Sequence, residues 1–255
     1  MGKADLHIHT VYSWDGTCTV EAVLKQAAHA AQLDVIAITD HDEIRGALEA
    51  QELAPRYGIE VIAGSEISTA DGHLLALFIH ENIPAGLSLK ETVWRIHGQG
   101  GMCIVPHPEA RGTPSVNRRV IGEALQDETV ARTLRGIETF NAGLFDHRAN
   151  SNAETIALEL GLAQVGSSDS HLIWTIGDGV ALFPGRSADD FRQALYAGET
   201  IPEVVRQPAP AIILASWLQG HLLRRAGWVE YNRFPEAPVR LERVSRLPRF
   251  ALADE

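Results

Sequence analysis

The chain has little cysteine, few aromatic residues and fewer basic than acidic side chains. Its 255 residues include 2 cysteines, and aromatic residues make up 6% of them. Two cysteines, Cys18 and Cys103, are too few for a disulfide framework and suit a reducing compartment. Lysine and arginine number 22 against 33 acidic residues, which gives a formal net charge of −11. Because affinity for long nucleic acid depends on basic side chains that neutralise phosphates, this balance argues against duplex binding as the function.

Long hydrophobic runs are also missing from the sequence. No stretch approaches the roughly 18 apolar residues that a membrane-spanning helix needs, and the polar amino terminus lacks the apolar segment of a signal peptide. We therefore expect a cytoplasmic protein with no membrane partner. The apolar fraction of 45% and the charged fraction of 22% are typical of a globular protein. The length suits one large α/β domain with a sizeable core.

Histidines and carboxylates recur beside short apolar segments. Near the start, Asp5, His7 and His9 alternate with apolar residues, so in a strand they share one face. Near residue 170, Asp169 and His171 follow another apolar run. Imidazoles and carboxylates in this arrangement are ligands that divalent metals accept. Further candidates of the same types lie between these two groups, namely Asp40, His41, Glu66, His73 and His107.

Seven short apolar segments alternate with helical patterns along the first 200 residues. The predicted strands cover 3–9, 35–39, 60–63, 73–79, 102–105, 136–141 and 163–166. Helical spacing predicts helices between them, for example over 88–99, 148–160 and 188–197. Because strand–helix–strand connections join parallel neighbours, we expect an α/β fold, a distorted seven-stranded (β/α)7 barrel, with its chemistry at the carboxyl ends of the strands. His73 fits this rule poorly, because it begins its strand.

The sequence pattern changes after residue 200. We assign residues 1–200 to the barrel and residues 201–255 to a C-terminal helix followed by an extended tail. The helix is predicted over 212–228, with an apolar stripe of Leu214, Trp217, Leu218, His221 and Leu222. This stripe suits packing against the outside of the barrel. The alternative is a contact between two copies of the chain, or with another partner.

Four separately spaced motifs, in the same order, resemble those of the PHP (polymerase and histidinol phosphatase) family, in particular its stand-alone metal-dependent phosphoesterases. They are DLHIHT at 5–10, ITDHD at 38–42, PHP at 106–108 and SDSH at 168–171, together with Asp15, Glu66 and His73. The likeness extends from residue 3 to about residue 200. It implies a distorted seven-stranded barrel that holds two to three divalent metals at its strand ends.

The resemblance also implies three metal sites, with Glu66 as a bridge between the first and second ions. One carboxylate with two oxygens suits such a bridge, because paired catalytic metals lie about 3.5–4 Å apart. Zinc, manganese and iron all accept this mixture of ligands. The implied ligand sets are His7, His9, Glu66 and Asp169 for the first ion; Glu66, His73 and His107 for the second; and Asp15, His41 and His171 for the third.

His80 is the alternative to His73 as a ligand, because it ends the fourth predicted strand and so suits the strand-end rule better. His73 is favoured, since the His-Leu-Leu that it begins resembles the family pattern. Asp5, Asp40 and Asp42 are predicted to support imidazoles by accepting the N–H on the side away from the metal. Four histidines lie in predicted helices or outside any motif and are expected not to be ligands: His29, His97, His147 and His221.

Clustered divalent metals predict hydrolysis of a phosphoester. A metal-bridging hydroxide can attack phosphorus near neutral pH, and the same metals offset charge in the transition state. Glu66, Asp169 and His171 are the predicted catalytic residues. Arg148 is the predicted phosphate clamp, because a guanidinium matches phosphate oxygens in geometry. Two other arginines in loops after strands are alternatives for the clamp, Arg45 and Arg111.

The exact substrate stays open from the sequence. The resemblance implies a small phosphate monoester, a nucleotide or a short oligonucleotide end, and the acidic balance favours these over long duplexes. The alternatives are a nuclease that trims nucleic-acid ends, a non-catalytic scaffold stabilised by metal, and an amide hydrolase of related barrel type. The intact ligand set argues against a scaffold. The lack of a carboxylated-lysine pattern argues against the amide hydrolase.

Overall fold

The computed structural model describes residues 1–227, apart from the side chains of residues 216, 217 and 224. Strands in this part of the chain form one sheet in the order β7-β6-β5-β4-β3-β2-β1-β8-β9. The strands are β1 (Gly2–Ile8), β2 (Val35–Ile38), β3 (Glu60–Thr69), β4 (Gly72–Leu77), β5 (Met102–Val105), β6 (Leu134–Asn141), β7 (Ala163–Ser167), β8 (Gly179–Phe183) and β9 (Ile201–Val204).

Helices connect most of these strands. Three predicted helices are confirmed, and two of them begin with a capping box in which Ser88 and Ser187 pair with Glu91 and Asp190. The helices are α1 (Val20–Lys25), which a π-helical segment at Gln26–Ala30 continues, α2 (Arg45–Leu53), α3 (Leu89–Gly98), α4 (Arg118–Ala124), α5 (Glu128–Thr133), α6 (Arg148–Leu160), α7 (Ala188–Ala197) and α8 (Pro210–Arg225).

The prediction of seven parallel strands is wrong in both the number and the direction of the strands. β3 continues to Thr69 and turns through Ala70 and Asp71 into β4, so that β4 runs antiparallel to both β3 and β5. A two-residue turn can join only antiparallel neighbours, because a parallel pair needs a long crossover. β8 and β9, which the sequence reading missed, form a second antiparallel unit beside β1. The architecture is therefore an α/β barrel-like fold with a mixed sheet of nine strands in residues 1–227.

The sheet curls until its two halves meet at the carboxyl end of β1. The backbone N–H of His9 donates to the carbonyl oxygen of Ser170 at 2.9 Å, and the N–H of Ser170 donates to that of His7 at 3.0 Å. Ile8 and Ser170 form a parallel bridge at the same place. The segment after β7 is thereby held against β1, and the strands enclose an interior.

Two apolar clusters stabilise this arrangement. The smaller cluster draws side chains from β1–β5, β7, β8 and α7, with Leu6, Phe183 and Phe191 among the largest, and it fills the interior of the curled sheet. The larger cluster lies between the outer face of the sheet and the surrounding helices. Burial of each large apolar side chain contributes about 1.5–3 kcal/mol, so these clusters give the polar edge a rigid support.

The C-terminal region is described only in part. β9 extends the sheet to Val204, beyond residue 200, and α8 covers much of the predicted helix 212–228. The division at residue 200 stays a prediction. The predicted extended tail, with Pro235, Pro238 and Pro248, lies outside the described residues. Within the described residues, each helix is too short or too polar to cross a membrane.

Candidate metal centre

The carboxyl edge of the sheet gathers all nine residues that the sequence predicts as metal ligands. Glu66 lies in β3 and His73 is the second residue of β4, while the others lie in β1 or in the segments that follow β1, β2, β5 and β7. Their side chains form four overlapping groups in which the ligand atoms lie within 4.8 Å of one another. These groups are His7, His9 and Glu66; His7, His107 and Asp169; His41, Glu66 and His73; and His9, Asp15, His41 and His171.

The direction of β4 explains why His73 belongs to this edge. Because β4 runs antiparallel to its neighbours, its first residues lie beside the carboxyl ends of β3 and β5. His73 is buried, and its Nδ1 lies 2.7 Å from Oε1 of Glu66. His80 follows the other end of β4, is exposed, and donates its backbone N–H to Gln99 at 2.9 Å. The geometry therefore favours His73 over His80.

Glu66 is the centre of the cluster. Its carboxylate is buried, and five imidazoles approach it from four different segments of the chain. Oε1 faces His73 and His107, and Oε2 faces the other three rings. The nitrogen–oxygen distances are 3.2 Å for His7, 3.4 Å for His9, 3.2 Å for His41, 2.7 Å for His73 and 3.2 Å for His107.

A second carboxylate centre lies on the side of His171. Nε2 of His171 and Nε2 of His41 lie 3.0 and 3.2 Å from Oδ2 of Asp15. The rings of His9 and His171 stack with centroids 4.2 Å apart. His171 is 24% exposed and Asp169 is 15% exposed, whereas the other cluster side chains are 9% exposed or less. The cluster therefore opens to solvent beside His171 and Asp169.

Two of the cluster residues have strained backbone. His107 and Asp169 adopt positive φ angles of 31° and 50°, a region that residues other than glycine seldom occupy. Each such conformation costs of order 1–3 kcal/mol and persists only where the surroundings impose it. For His107 the surroundings include its backbone N–H, which donates to Glu138 at 2.9 Å. Both residues belong to the same ligand group of the cluster.

The donor set fits divalent metals on two observations. Four buried nitrogens have no hydrogen-bond partner in the described residues, although carboxylate oxygens lie close to each of them: Nε2 of His7, Nε2 of His9, Nδ1 of His41 and Nδ1 of His73. Within residues 1–227, the recorded ion pairs of Asp15, Glu66 and Asp169 are all to histidine. Buried carboxylates without a lysine or arginine need another source of positive charge, which bound cations supply.

The charges of the cluster are strongly coupled. Burial alone would raise the pKa of Glu66, but the adjacent His73, His41 and His7 hold it well below its usual range. Burial opposes protonation of His41 and of His171, yet attraction to Glu66 and Asp15 raises the pKa of His41 to about 10. Attraction to Asp15 and Asp169 likewise raises that of His171 to about 9. In the metal-free state these rings hold protons that a divalent cation would displace.

His9 behaves in the opposite way. Burial, together with the charges of His171 and His41, lowers the pKa of His9 to about 4, although Asp169 and Asp15 attract the protonated ring. A ring that stays neutral at pH 7 is ready to bind a metal without losing a proton. His9 belongs to two of the four ligand groups, so it connects the Glu66 side of the cluster to the Asp15 side.

In their recorded hydrogen bonds, the predicted supporting aspartates accept from backbone N–H groups and from the Thr10 hydroxyl. The register of β1 shifts between Asp5 and Ile8, which interrupts the alternation that placed Asp5 beside His7 and His9. Asp5 accepts the backbone N–H groups of Ser168 and Gly177 at 3.0 and 2.9 Å. Among the recorded contacts, Asp40 accepts from Thr10 and Asp42 accepts from the N–H of Ser68. They position loops that carry ligands.

Glu138 is the supporting carboxylate that the sequence reading missed. It lies in β6, is fully buried, and its Oε1 lies 3.1 Å from Nδ1 of His7. Its other oxygen accepts from the N–H of His107 and from Nδ2 of Asn141. The sequence does contain a signal for this role. Glu138 lies within a predicted apolar strand, and carboxylates are rarely buried unless they have a partner.

The predicted phosphate clamp lies outside the cluster. Arg148 begins α6, its side chain is 84% exposed, and it pairs with Asp146 at 2.9 Å. Its hydrogen bonds lower the pKa of Asp146, and the charge of Arg111 adds to that effect. Arg45 pairs with Glu43. Arg111, in the loop after β5, and Arg148, at the start of α6, therefore both act electrostatically on Asp146.

The four histidines predicted not to be ligands do not join any of the ligand groups. His97 bonds to Thr133 at 3.0 Å, and the ring of His29 lies beside that of Tyr57. His221 of α8 approaches the edge of Trp14, whose face stacks on the ligand candidate His41. His147 precedes α6. α8 therefore lies next to a loop of the metal centre.

Two models of known protein families match this chain. The PHP domain model matches residues 5–112 and the PHP-associated model matches residues 147–200. An uncharacterized protein of Methanocaldococcus jannaschii is 42% identical over 150 residues, which cover 55% of this chain and 82% of that protein. The chain belongs to the PHP family. Both matched regions contain ligand candidates, and those in the second region are Asp169 and His171.

More distant PHP relatives have named activities. A phosphoribosyl 1,2-cyclic phosphate 1,2-diphosphodiesterase of Eggerthella lenta is 40% identical over 100 residues, 36% of this chain and 37% of that protein. A 5′-3′ exoribonuclease of Haemophilus influenzae is 33% identical over 134 residues, 51% of this chain and 47% of that protein. The chain thus spans less than half the length of either enzyme.

A solved structure shares the fold of this PHP protein. The crystal structure of a two-domain protein from Bacteroides vulgatus, described as containing a predicted PHP-like metal-dependent phosphoesterase, superposes with a TM-score of 0.64 at 24% identity. The match covers 79% of this chain and 64% of that one. It supports the barrel-like fold, while the division of the nine ligand candidates among individual ions stays a prediction.

Proposed function

We propose that this PHP-family hydrolase cleaves a phosphoester, either in a small phosphate ester or at the end of a short oligonucleotide. One observation carries the proposal: five buried imidazoles surround the carboxylate of Glu66, and two more carboxylates complete the cluster without a recorded lysine or arginine partner in the described residues. Such a donor set suits two or three of the divalent metals zinc, manganese or iron. When bound, these metals activate water and neutralise phosphoryl charge.

The residues of the chain have separate roles in this proposal. Glu66 orients the imidazoles around it and offsets the charge of bound cations. Asp169 and His171 line the open side of the cluster, so the phosphoester approaches the site there. His171 is the most exposed imidazole of the cluster and, with Asp15 and His41, would hold an ion on this open side.

Substitution of Glu66 tests the proposal. Glu66→Gln removes the central negative charge, so we expect metal content to fall and hydrolysis to drop by at least about 10²-fold while the fold is retained. The measurements are elemental analysis of protein purified without chelators, and phosphate release from a panel of esters with Mn²⁺ added. Glu60→Gln, at the opposite end of β3, is the matched control and should behave as wild type. Unchanged turnover in Glu66→Gln would exclude this mechanism.

The phosphate clamp is a separate part of the proposal. Arg148 and Arg111 both act on Asp146, in the segment after β6 whose Gly143 lies against Asp169, and a guanidinium there can bind a phosphate that approaches the cluster. We expect Arg148→Ala to raise KM several-fold with a smaller change in kcat. Steady-state kinetics on the best ester of the panel measures this. Arg119→Ala, on the exposed surface of α4, is the control; equal KM values in the two variants would contradict the role.

End trimming of RNA is the second candidate, favoured by the Haemophilus influenzae exoribonuclease that matches half of this chain. Oligoribonucleotides of two to ten residues, labelled at either end, separate the candidates. Rates that rise with length and release of mononucleotides from one end would indicate an exonuclease. Rates that are highest on mononucleotides or on a 1,2-cyclic phosphate would indicate a small-ester hydrolase.

A further inference from the structure

Glu138 contacts the ligand group His7, His107 and Asp169, reaching the first two directly and Asp169 through Asn141. Its carboxylate faces Nδ1 of His7 at 3.1 Å and accepts the backbone N–H of His107 at 2.9 Å. Asn141 donates through Nδ2 to Glu138 at 2.8 Å and to Oδ2 of Asp169 at 3.0 Å. Ser167 donates its hydroxyl to Oε1 of Glu138 as well. We name the group His7, His107 and Asp169 the inner site.

The contact with Glu138 fixes the tautomer of His7. Carboxylate oxygens accept hydrogen bonds, so the contact with Oε1 of Glu138 places a proton on Nδ1 of His7 and leaves Nε2 as the nitrogen that a metal would take. Nε2 points toward Glu66 and Asp169, at 3.2 and 3.4 Å, and has no aligned hydrogen-bond partner in the described residues. An imidazole supported in this way by a carboxylate is a more basic and better oriented metal ligand.

The other imidazoles of the cluster have weaker support. Nδ1 of His9 lies 3.3 Å from the Ser13 hydroxyl, and Nδ1 of His107 lies 3.1 Å from that of Ser115. Nδ1 of His171 pairs with a backbone carbonyl at 3.0 Å. Among the contacts recorded in residues 1–227, only His7 is supported by a carboxylate from outside the nine ligand candidates.

The opposite group is more open to solvent at one ligand, because His171 is 24% exposed against 15% for Asp169, the most exposed member of the inner site. We name Asp15, His41 and His171 the outer site; His171 is its most exposed member, and no recorded contact joins Glu138 to it. Buried ligands that are held by a hydrogen-bond network lose little freedom when a metal binds, whereas exposed ligands exchange their metal with water more readily.

We propose that Glu138 is a positioning residue that makes the metal centre unequal, so that the inner site binds its ion first and most tightly while the outer site binds a later, exchangeable ion. The inference concerns metal binding by the chain's own residues. Its test measures metal retention, so its failure is distinguishable from failure of the proposed phosphoesterase activity.

Metal titration of the full chain tests the proposal. Protein stripped with a chelator is titrated with Zn²⁺, passed through a desalting column and analysed for retained metal. Wild type should show one tightly retained ion followed by weaker ones. In Glu138→Gln the amide offers the surrounding donors only one acceptor oxygen, so we expect the first ion to bind about 10–100-fold more weakly. Glu138→Asp keeps the charge and should restore part of the affinity, which a purely space-filling role would not require.

Two further variants provide the contrast. Asp178→Asn removes a buried carboxylate that serves Arg206, so it controls for a general loss of buried charge and should retain the first ion as wild type does. His171→Ala should lose a later ion and keep the first. Retention of the first ion by Glu138→Gln at wild-type affinity would overturn the proposal, and so would an equal loss in Asp178→Asn.

A measurement on the wild-type protein covers the case in which Glu138→Gln does not fold. Two-bond proton–nitrogen NMR correlations on the Zn²⁺-loaded protein report the tautomer of each histidine. The proposal requires a protonated Nδ1 and a metal-bound Nε2 in His7. The opposite tautomer would overturn it.

Discussion

At the scale of single residues, the chemistry of the site depends on how carboxylates are shared. Glu66 faces five imidazoles and Asp15 faces three, so each carboxylate contacts several ligand candidates at once. Loss of one shared carboxylate therefore disturbs several ligands together, whereas loss of one imidazole removes a single donor. Contacts within one network are coupled in this way, and effects of substitutions there are not additive.

The choice between His73 and His80 gives a prediction at this scale. His73→Ala removes a buried imidazole 2.7 Å from Glu66, so we expect the protein to retain fewer metal ions and to hydrolyse its ester at least about 10-fold more slowly. His80→Ala is the matched control, since it truncates an exposed imidazole at the other end of the same strand. Elemental analysis and steady-state rates measure both variants. A larger loss in His80→Ala would reverse the assignment.

At the scale of elements, the metal centre depends on short contacts between loops and α8. The loop after β1 carries Asp15, and its Thr17 hydroxyl donates to the carbonyl oxygen of His171 at 2.7 Å. Gly220 of α8 lies against this loop: a Cβ built on it would be 3.3 Å from Cγ2 of Thr17. Its neighbour His221 approaches Trp14, which stacks on His41. α8 thus supports the loop that holds the outer site.

Gly220→Val tests this support. The branched side chain would force α8 away from Thr17, so we expect faster amide hydrogen exchange in the loop 13–18 and in α8, with little change in the core strands. Hydrogen exchange with mass spectrometry measures both regions. Gly98→Val is the matched control, because Gly98 is also helical and a Cβ there meets open space. Identical exchange in the two variants would show that α8 does not stabilise the loop.

At the scale of the whole molecule, the candidate ligands connect segments that are far apart in the sequence. His7 and His9 come from the first strand, and Asp169 and His171 come from the segment that closes the sheet against it. An ion held between these segments binds the folded state and not the unfolded chain. Metal binding at 100 times the dissociation constant therefore adds about 2.7 kcal/mol to the free energy of unfolding.

Removal of metal should lower stability, and more so at high pH. We expect chelation to lower Tm by roughly 5–10 °C at pH 7, which a calorimetric scan measures. The metal-free protein gains stability from protonated His41 and His171, whose pKa values rise from 6.5 to about 10 and about 9. That contribution is fully present below pH 6.5 and is lost as the pH rises through 9 and 10.

The metal-loaded protein has no protons on these rings to lose, so the difference in Tm between loaded and stripped protein should widen from pH 7 to pH 10. The pKa of His9 is lowered to about 4, so protonation of this ring affects stability only below pH 6.5 and not between pH 7 and pH 10. Stripped protein that receives more chelator is the control and should not change. A constant difference in Tm across this pH range would contradict the described imidazolium–carboxylate attractions.

The sequence by itself determined the residue types of the centre, their order along the chain and several helix boundaries. Those features are local: a capping serine acts within one turn of its helix, and an imidazole can bind a metal wherever the fold carries it. The tertiary structure decided the rest. Because β4 runs antiparallel to its neighbours, its first two residues, the second of which is His73, lie at the carboxyl edge of the sheet. The curling of the sheet places His171 beside Asp15. The pairing of β6 placed the buried Glu138 beside His7. These outcomes depend on pairing between distant segments, because the direction of a strand and the neighbours of a buried carboxylate follow from the whole sheet.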